Sequence, residues 1–288
     1  MLLDAITWTV DPAIFSIGGR EVRWYGLFFA IGFLIGYAIE DRIYKHDNAP
    51  AGWCDKAFIY TIVATVIGSR LGHCIFYGWA YYSVHPLDIF KIWEGGLASH
   101  GGTIGILIAI YIFSRRVTHR SILWAVDRLV IPTALTAVFI RMGNLMNHEI
   151  YGHVTSLPWG FRFIENVGLW HMHGVPPLFT EPSHPTQIYE ALCYLAVFIL
   201  LMYMYWKRQA GDRPGLLMGV FFVGVFFSRF LIEFVKNDQE AFEANMVLNM
   251  GQLLSIPFVI AGVWLIVRAL RHPIISGRIE TAVPKRKK

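Results

Sequence analysis

Arginines at 70, 141 and 229, histidines at 73, 100 and 184, and glutamates at 149, 190 and 233 are the side chains best suited to chemistry. Arg229 and Glu233 are four residues apart, so on a helix they share a face. Arg70 and His73 share one in the same way. His100 lies in Ser-His-Gly-Gly (99–102), where two glycines let a ligand or a backbone approach a group that titrates near neutral pH. A guanidinium stays charged, and its planar fork fits a phosphate with two parallel hydrogen bonds. Plainer readings stand beside these. Arg229 and Glu233 could be a structural ion pair, and His100 a structural residue at a helix start.

Other patterns point away from chemistry. In His-Glu-Ile-Tyr-Gly-His (148–153) the histidines are five apart, about 140° around a helix, which is not the metalloprotease arrangement. His171-Met-His173 is too little for a site, so no metal is expected. No Gly-x-Ser-x-Gly elbow, phosphate-binding Gly-Lys loop or dinucleotide fingerprint occurs, so neither a serine nucleophile nor a nucleotide cofactor is expected. Cys54, Cys74 and Cys193 have no paired spacing and read as small buried hydrophobes.

These side chains need elements to hold them. Of 288 residues, 55% are hydrophobic and 16% charged, with a mean hydropathy of +0.47. Soluble domains are about 25% charged, so the composition excludes disorder, a disulfide scaffold and an ordinary soluble enzyme. It predicts an all-α integral membrane protein with one polytopic domain over 1–288. Seven spans are predicted near 24–40, 57–77, 97–113, 122–140, 187–206, 215–235 and 250–269. The fourth is interrupted by Asp127, Arg128 and Pro132. Residues 141–186 carry five prolines and read as an ordered head segment between spans four and five. Neither a cleavable leader nor a lipidation signal is expected, so the helices themselves anchor the chain.

Loops after spans one, three and five, together with the tail 270–288 and the end of span seven, carry sixteen Lys and Arg; the opposite side carries six. Basic loops stay cytoplasmic, so the N-terminus lies outside, the head segment is extracytoplasmic and the tail is cytoplasmic. The +5 net charge therefore speaks of orientation, not of nucleic acid. With that orientation Tyr25, Arg70, His73, His100, Arg141, Asn144, His184, Gln187, Glu190, Arg229, Glu233 and Gln252 all fall at the outer ends of their spans. Ionisable groups in a membrane cost about 2.5–3.5 kcal/mol each on insertion scales, so a shared depth marks a site. Single residues could instead snorkel to water. Arginines at headgroup depth meet lipid phosphate, which indicates a lipid-phosphate-recognising enzyme or carrier but not its reaction.

The segment Arg-Met-Gly-Asn-Leu-Met-Asn-His-Glu-Ile-Tyr-Gly (141–152) resembles the signature of the prolipoprotein diacylglyceryl transferases, Gly-Arg-x-Gly-Asn-Phe-x-Asn-Gly-Glu-x-x-Gly. Further matches are WYG (24–26), GSRLG (68–72), WEGGLASHGG (93–102), HPTQIYE (184–190), SRFLIEF (228–234) and MGQLLSIP (250–257). Ile140 and His148 replace signature glycines, Leu145 replaces its Phe, and Val225 stands where some members have Tyr. The resemblance implies transfer of diacylglyceryl from phosphatidylglycerol to the lipobox cysteine of a prolipoprotein signal peptide, at the bacterial inner membrane, by a monomer without cofactor. It implies His100, Arg141 and Arg229 as catalytic residues. Tyr25, Asn144, Glu149, Gly152 and His184 would bind substrate, with Arg70 and Glu233 as supporting partners. A lipid or anion transporter is the alternative, but it predicts mid-membrane polar groups and inverted repeats, which the sequence lacks.

The orientation is open to direct measurement. In a background lacking the three native cysteines, Arg116→Cys should be labelled by an impermeant thiol reagent only after permeabilisation. A cysteine near position 170 should label in intact cells.

Overall fold

The computed structural model describes residues 5–18, 20–92, 95–96, 98–238, 243 and 246–279. The Lys-rich end of the tail, residues 280–288, and Leu97 at the expected start of span three lie outside these. Most described residues are helical. In chain order the elements are strands β1 (Ile6–Thr7), β2 (Ala13–Ile17) and β3 (Arg20–Arg23), then helices α1 (Trp24–His46), α2 (Trp53–Phe76), α3 (Trp79–Tyr82), α4 (Ser99–Phe113) and α5 (Ile122–Met146). Strand β4 (Phe161–Arg162) and helices α6 (Val167–His173), α7 (Thr186–Arg208), α8 (Leu216–Ile232) and α9 (Met250–Arg271) follow.

Among the described residues, five helical stretches are long and apolar enough to cross a membrane: Trp53–Phe76, Ile122–Met146, Thr186–Arg208, Leu216–Val235 and Met250–Arg271. Their outward residues are apolar as well. Ile59, Val63 and Ile67 of α2, and Ile260 and Trp264 of α9, are exposed, which suits hydrocarbon rather than water.

The chain divides into two compact units. The first comprises 1–39 and 127–275, and the second 40–126 and 276–288. In the second, α2 and α4 meet along glycines. A Cβ on Gly72 would fall 2.7 Å from the Gly101 Cα, and one on Gly68 3.1 Å from the Gly105 Cα. Gly-x-x-x-Gly spacing on each helix thus lets the backbones touch, replacing the hydrophobic drive that lipid does not supply. Chain end and helix ends are tied together on this unit. Trp124 Nε1 donates to Gly277 O at 2.8 Å, and Ile279 N to Asp47 O at 2.7 Å.

In the first unit α5 is continuous through the residues expected to interrupt it. Asp127 is fully buried because its carboxylate caps α8, accepting from Gly215 N at 2.7 Å and Met218 N at 2.8 Å. Around Pro132 the helix is tied to α1, with Thr136 Oγ1 3.0 Å from the Pro132 carbonyl and 3.2 Å from Gly32 O, its single proton shared between them. The helix also runs on to Met146, past the expected end at 140. Its added turns carry Arg141 and Asn144. Helices α8 and α9 pack through the Phe226–Phe258 ring pair, 4.2 Å between centroids, and a close Gly219–Gly262 approach.

Residues between α5 and α7 fold as an ordered segment, despite their prolines. Strand β4 pairs in parallel with β1, Phe161 and Phe163 pack with Leu145, and Trp8 Nε1 donates to Leu145 O. At the edge of this segment His171 of α6 clasps the β2–β3 hairpin. Its Nδ1 lies 2.9 Å from Asp11 Oδ1 and its Nε2 2.7 Å from Glu21 Oε1. Two carboxylates on one imidazole favour the cation. The hydrogen bond that His171 donates to Glu21 accordingly holds the His171 pKa above its usual value, and Arg23 and His171 hold Glu21 below its own.

The pH sign follows. A raised folded pKa stabilises the clasp fully below the unfolded value near about 6.5, and that contribution disappears as pH rises through the folded pKa. Hydrogen exchange of residues 11–23 should therefore accelerate between pH 6 and 9 beyond its intrinsic rise. His171→Gln should abolish the excess.

Candidate functional site

A line of alternating charge runs through the first unit. Arg141 Nε lies 2.6 Å from Glu190 Oε2, Glu190 Oε1 lies 3.5 Å from Lys236 Nζ, and Lys236 Nζ lies 3.0 Å from Glu233 Oε1. Arg229 Nε closes the line at 3.3 Å from the same Glu233 oxygen. Four helical elements supply it: α5, α7, α8 and the 3-10 turn Glu233–Val235 that follows α8. Glu190, Glu233 and Lys236 are all buried, at 0%, 5% and 2% exposure. Buried charges persist only when paired, so each member here requires its neighbours.

The two arginines differ in freedom. Arg141 is held on three sides, by Glu190, by Asn144 Oδ1 at 3.1 Å from Nη1, and by the Tyr194 hydroxyl. Arg229 is tied at Nε alone among the described residues, and its side chain is 36% exposed. Both of its terminal nitrogens are therefore available to an anion. Beyond Arg141 the polar contacts continue: Asn144 Nδ2 donates to Glu149 Oε1 at 2.8 Å, and Asn147 Nδ2 to the same oxygen at 3.1 Å.

Three glycines give the cluster its room. A Cβ on Gly251 would meet the Glu233 Cδ at 2.6 Å, so Gly251 lets the carboxylate settle on the first turn of α9. There Asn249, which caps α9 in a box with Gln252, donates from Nδ2 to Glu233 Oε2 at 3.1 Å. The helix N-terminus favours this anion further. Gly152 is pressed between two strands of backbone: its N donates to His184 O at 2.8 Å, and it bridges antiparallel to Lys236. A Cβ there would lie 2.8 Å from the His184 Cβ and 2.8 Å from the Thr186 Cγ2. Gly143 lies equally close to Tyr25, fixing the start of α1 against α5.

The residues singled out from the sequence thus fall into groups. Arg141, Asn144, Glu149, Arg229 and Glu233 are joined by direct contacts, with Gly152 and Tyr25 packed beside them. His184 touches the group through its backbone. Its ring takes a hydrogen bond from the Tyr189 hydroxyl, 3.2 Å from Nδ1, itself an acceptor from Trp159, and burial lowers its pKa. Arg70 and His100 belong to the second unit. Arg70 is buried and spends its donors on backbone carbonyls: Ile89 O at 2.8 Å, Asp88 O at 2.6 Å and Gly95 O at 2.6 Å. It ties Asp88 and Ile89 to Gly95 and lies over the Tyr82 ring. His100 is exposed, with Phe76 and Tyr77 against its ring.

His148 shows why the signature has glycine at its position: its φ is +56°, in the left-handed region. Here the side chain compensates, accepting from Ile164 N at Nδ1 and lying 2.9 Å from Val10 O at Nε2. The backbone N–H fixes the neutral tautomer, and burial lowers the pKa.

Lys236 escaped the sequence reading, which counted it among loop charges. Its signal was the spacing of three from Glu233. Glu190 was seen as polar but given no role. Lys236→Met should leave Glu190 with Arg141 alone and Glu233 with Arg229 alone, two buried carboxylates no longer screened from each other, and lower stability by about 3–5 kcal/mol. Lys236→Arg should retain most of it. Thermal unfolding in detergent compares the two.

The prolipoprotein diacylglyceryl transferase family model matches residues 12–268. A phosphatidylglycerol--prolipoprotein diacylglyceryl transferase of Porphyromonas gingivalis is 54% identical over 93% of this chain and 96% of its own length. Proteins of the same name from Tolumonas auensis and Chloroherpeton thalassium are 46% and 44% identical, over 92% and 93% of this chain and 98% and 95% of their own. The chain belongs to the prolipoprotein diacylglyceryl transferase family.

Proposed function

We infer that this protein transfers the diacylglyceryl group of phosphatidylglycerol to the lipobox cysteine of prolipoproteins. The observation that carries the reading is the buried line of alternating charge, ending in an arginine whose two terminal nitrogens have no partner among the described residues. In the reaction the cysteine sulfur forms a carbon–sulfur bond to the glyceryl carbon, the carbon–oxygen bond to phosphate breaks, and glycerol phosphate leaves. The thiol proton departs to a base. Arg141 and Arg229 bind the lipid phosphate and stabilise the charge that develops on the leaving group. His100 is the proton acceptor, or positions it, since a free thiol with a pKa near about 8.5 needs help at neutral pH. Tyr25, Asn144, Glu149, Gly152 and His184 orient the headgroup; Arg70 and Glu233 support them.

The membrane arrangement follows the basic-residue bias. Helices α1 and α4 complete seven spans with the five apolar stretches, in a single polytopic domain. The N-terminus and the 141–186 segment lie outside, and the 270–288 tail lies in the cytoplasm of a bacterial inner membrane. The protein works as a monomer, on lipid and signal peptide drawn from the bilayer.

Purified protein incubated with phosphatidylglycerol and a lipobox peptide should yield peptide heavier by one diacylglyceryl group. Lipid flux across vesicles without that product would instead establish a transporter. Within the assay Arg229→Lys keeps the charge but loses the fork, so transfer should fall at least about tenfold, roughly 1.4 kcal/mol, with folding intact. Arg116→Lys, in the loop after α4, should change little. If Arg229 served only to hold Glu233, Glu233→Gln would be as harmful, and thermal stability would fall with activity. A folded, fully active Arg229→Lys protein removes Arg229 from the site.

A further inference from the structure

Two buried carbonyl oxygens beside the arginine cluster have no partner among the described residues: Gln187 Oε1 and Asn147 Oδ1. Gln187 is fully buried on α7. Its Nε2 donates to Glu149 O at 2.6 Å, and Asn147 Nδ2 donates to Glu149 Oε1 at 3.1 Å. In both amides the neighbouring atom is an oxygen, which only the NH2 end can address, so each carbonyl end must point elsewhere. A buried acceptor left unmade costs about 1–3 kcal/mol, and native structures rarely tolerate one without a role.

Their surroundings select the ligand. Gln187 precedes Glu190 by three residues on α7, so its amide shares the helix face whose carboxylate holds Arg141. Asn147 reaches Arg141 through Glu149 and Asn144. Both acceptors therefore flank the arginine placed on the lipid phosphate. What they lack is a donor, in a network whose cations Arg141, Lys236 and Arg229 are already matched by Glu190, Glu233 and Glu149. A neutral polyol brings hydroxyl donors without charge.

We propose that Gln187 and Asn147 are specificity-determining residues that accept hydrogen bonds from the hydroxyls of the glycerol headgroup. The proposal rests on the functional reading above and deepens it. Phosphate is held by the arginines and is common to all phospholipids. The two amides read what the phosphate carries, and Glu149 orients both of them, one by its side chain and one by its backbone.

The test compares phosphatidylglycerol with phosphatidylpropanol, which keeps the phosphate and three carbons but no headgroup hydroxyl. Peptide-transfer rates are measured for the full protein and for Gln187→Met and Asn147→Leu. The unaltered protein should favour phosphatidylglycerol at least about tenfold in kcat/KM. Each variant should contract that preference by about fivefold or more, losing more on phosphatidylglycerol than on the propanol lipid. Equal rates on the two lipids with the unaltered protein overturn the proposal, and this comparison decides even if a variant fails to fold. A preference undiminished in folded variants also overturns it, and means that the two oxygens hold buried water. Failure to transfer from either lipid would defeat the functional reading itself, a result distinct from equal rates.

Discussion

Glu190 and Glu233 are the anions around which the site is built. Each is buried and carries two cations, Glu190 between Arg141 and Lys236, and Glu233 between Lys236 and Arg229. Charges withdrawn from water lose several kcal/mol of solvation apiece, and only close partners return it. The arginines cannot therefore be placed independently. Their positions are set by carboxylates on α7 and after α8, whose positions depend in turn on Lys236 between them. Gly152 and Gly251 serve the same constraint from the backbone, since a methyl group at either would displace the strand carrying Lys236 or the Glu233 carboxylate.

This arrangement divides labour between two arginines of identical chemistry. Arg141 has its fork occupied by Glu190, Asn144 and Tyr194, which orients it but leaves less of it for a ligand. Arg229 has one weak tie and partial exposure. The first suits a fixed electrostatic floor and the second a fork that closes on an arriving anion. Arg70, the third arginine of equal prominence in the sequence, does neither in its own unit. Its donors are spent on the carbonyls of Asp88, Ile89 and Gly95.

Helix positions were largely legible because apolar runs long enough for a bilayer admit few alternatives, and the helices begin and end within a few residues of expectation. Where the reading stopped short, a partner distant in sequence was responsible. Asp127 looked like an interruption of the fourth span, yet it caps α8, some ninety residues on. The same kind of distance hid Lys236, whose meaning comes from Glu190, 46 residues earlier. Arg141 and Asn144 were visible by type and depth, whereas Glu149 and Gly152 entered only through the resemblance to the family signature. That Gly152 is packed against the backbone of Val235 and the side chains of His184 and Thr186 follows only from the chains pressed against it.

His148 carries the last step. At a left-handed φ, glycine is free of the Cβ penalty, whereas an L-residue pays about 1–2 kcal/mol. Histidine recovers part of this through two hydrogen bonds that tie Val10 and Ile164 to the end of α5. A flexible position thereby becomes a cross-link, directly before Glu149, the residue that holds three amides. The departure from the family signature thus leaves the polar geometry alone and stiffens its support. That support depends on a neutral imidazole, because burial opposes its protonation and Nδ1 must accept from a backbone N–H.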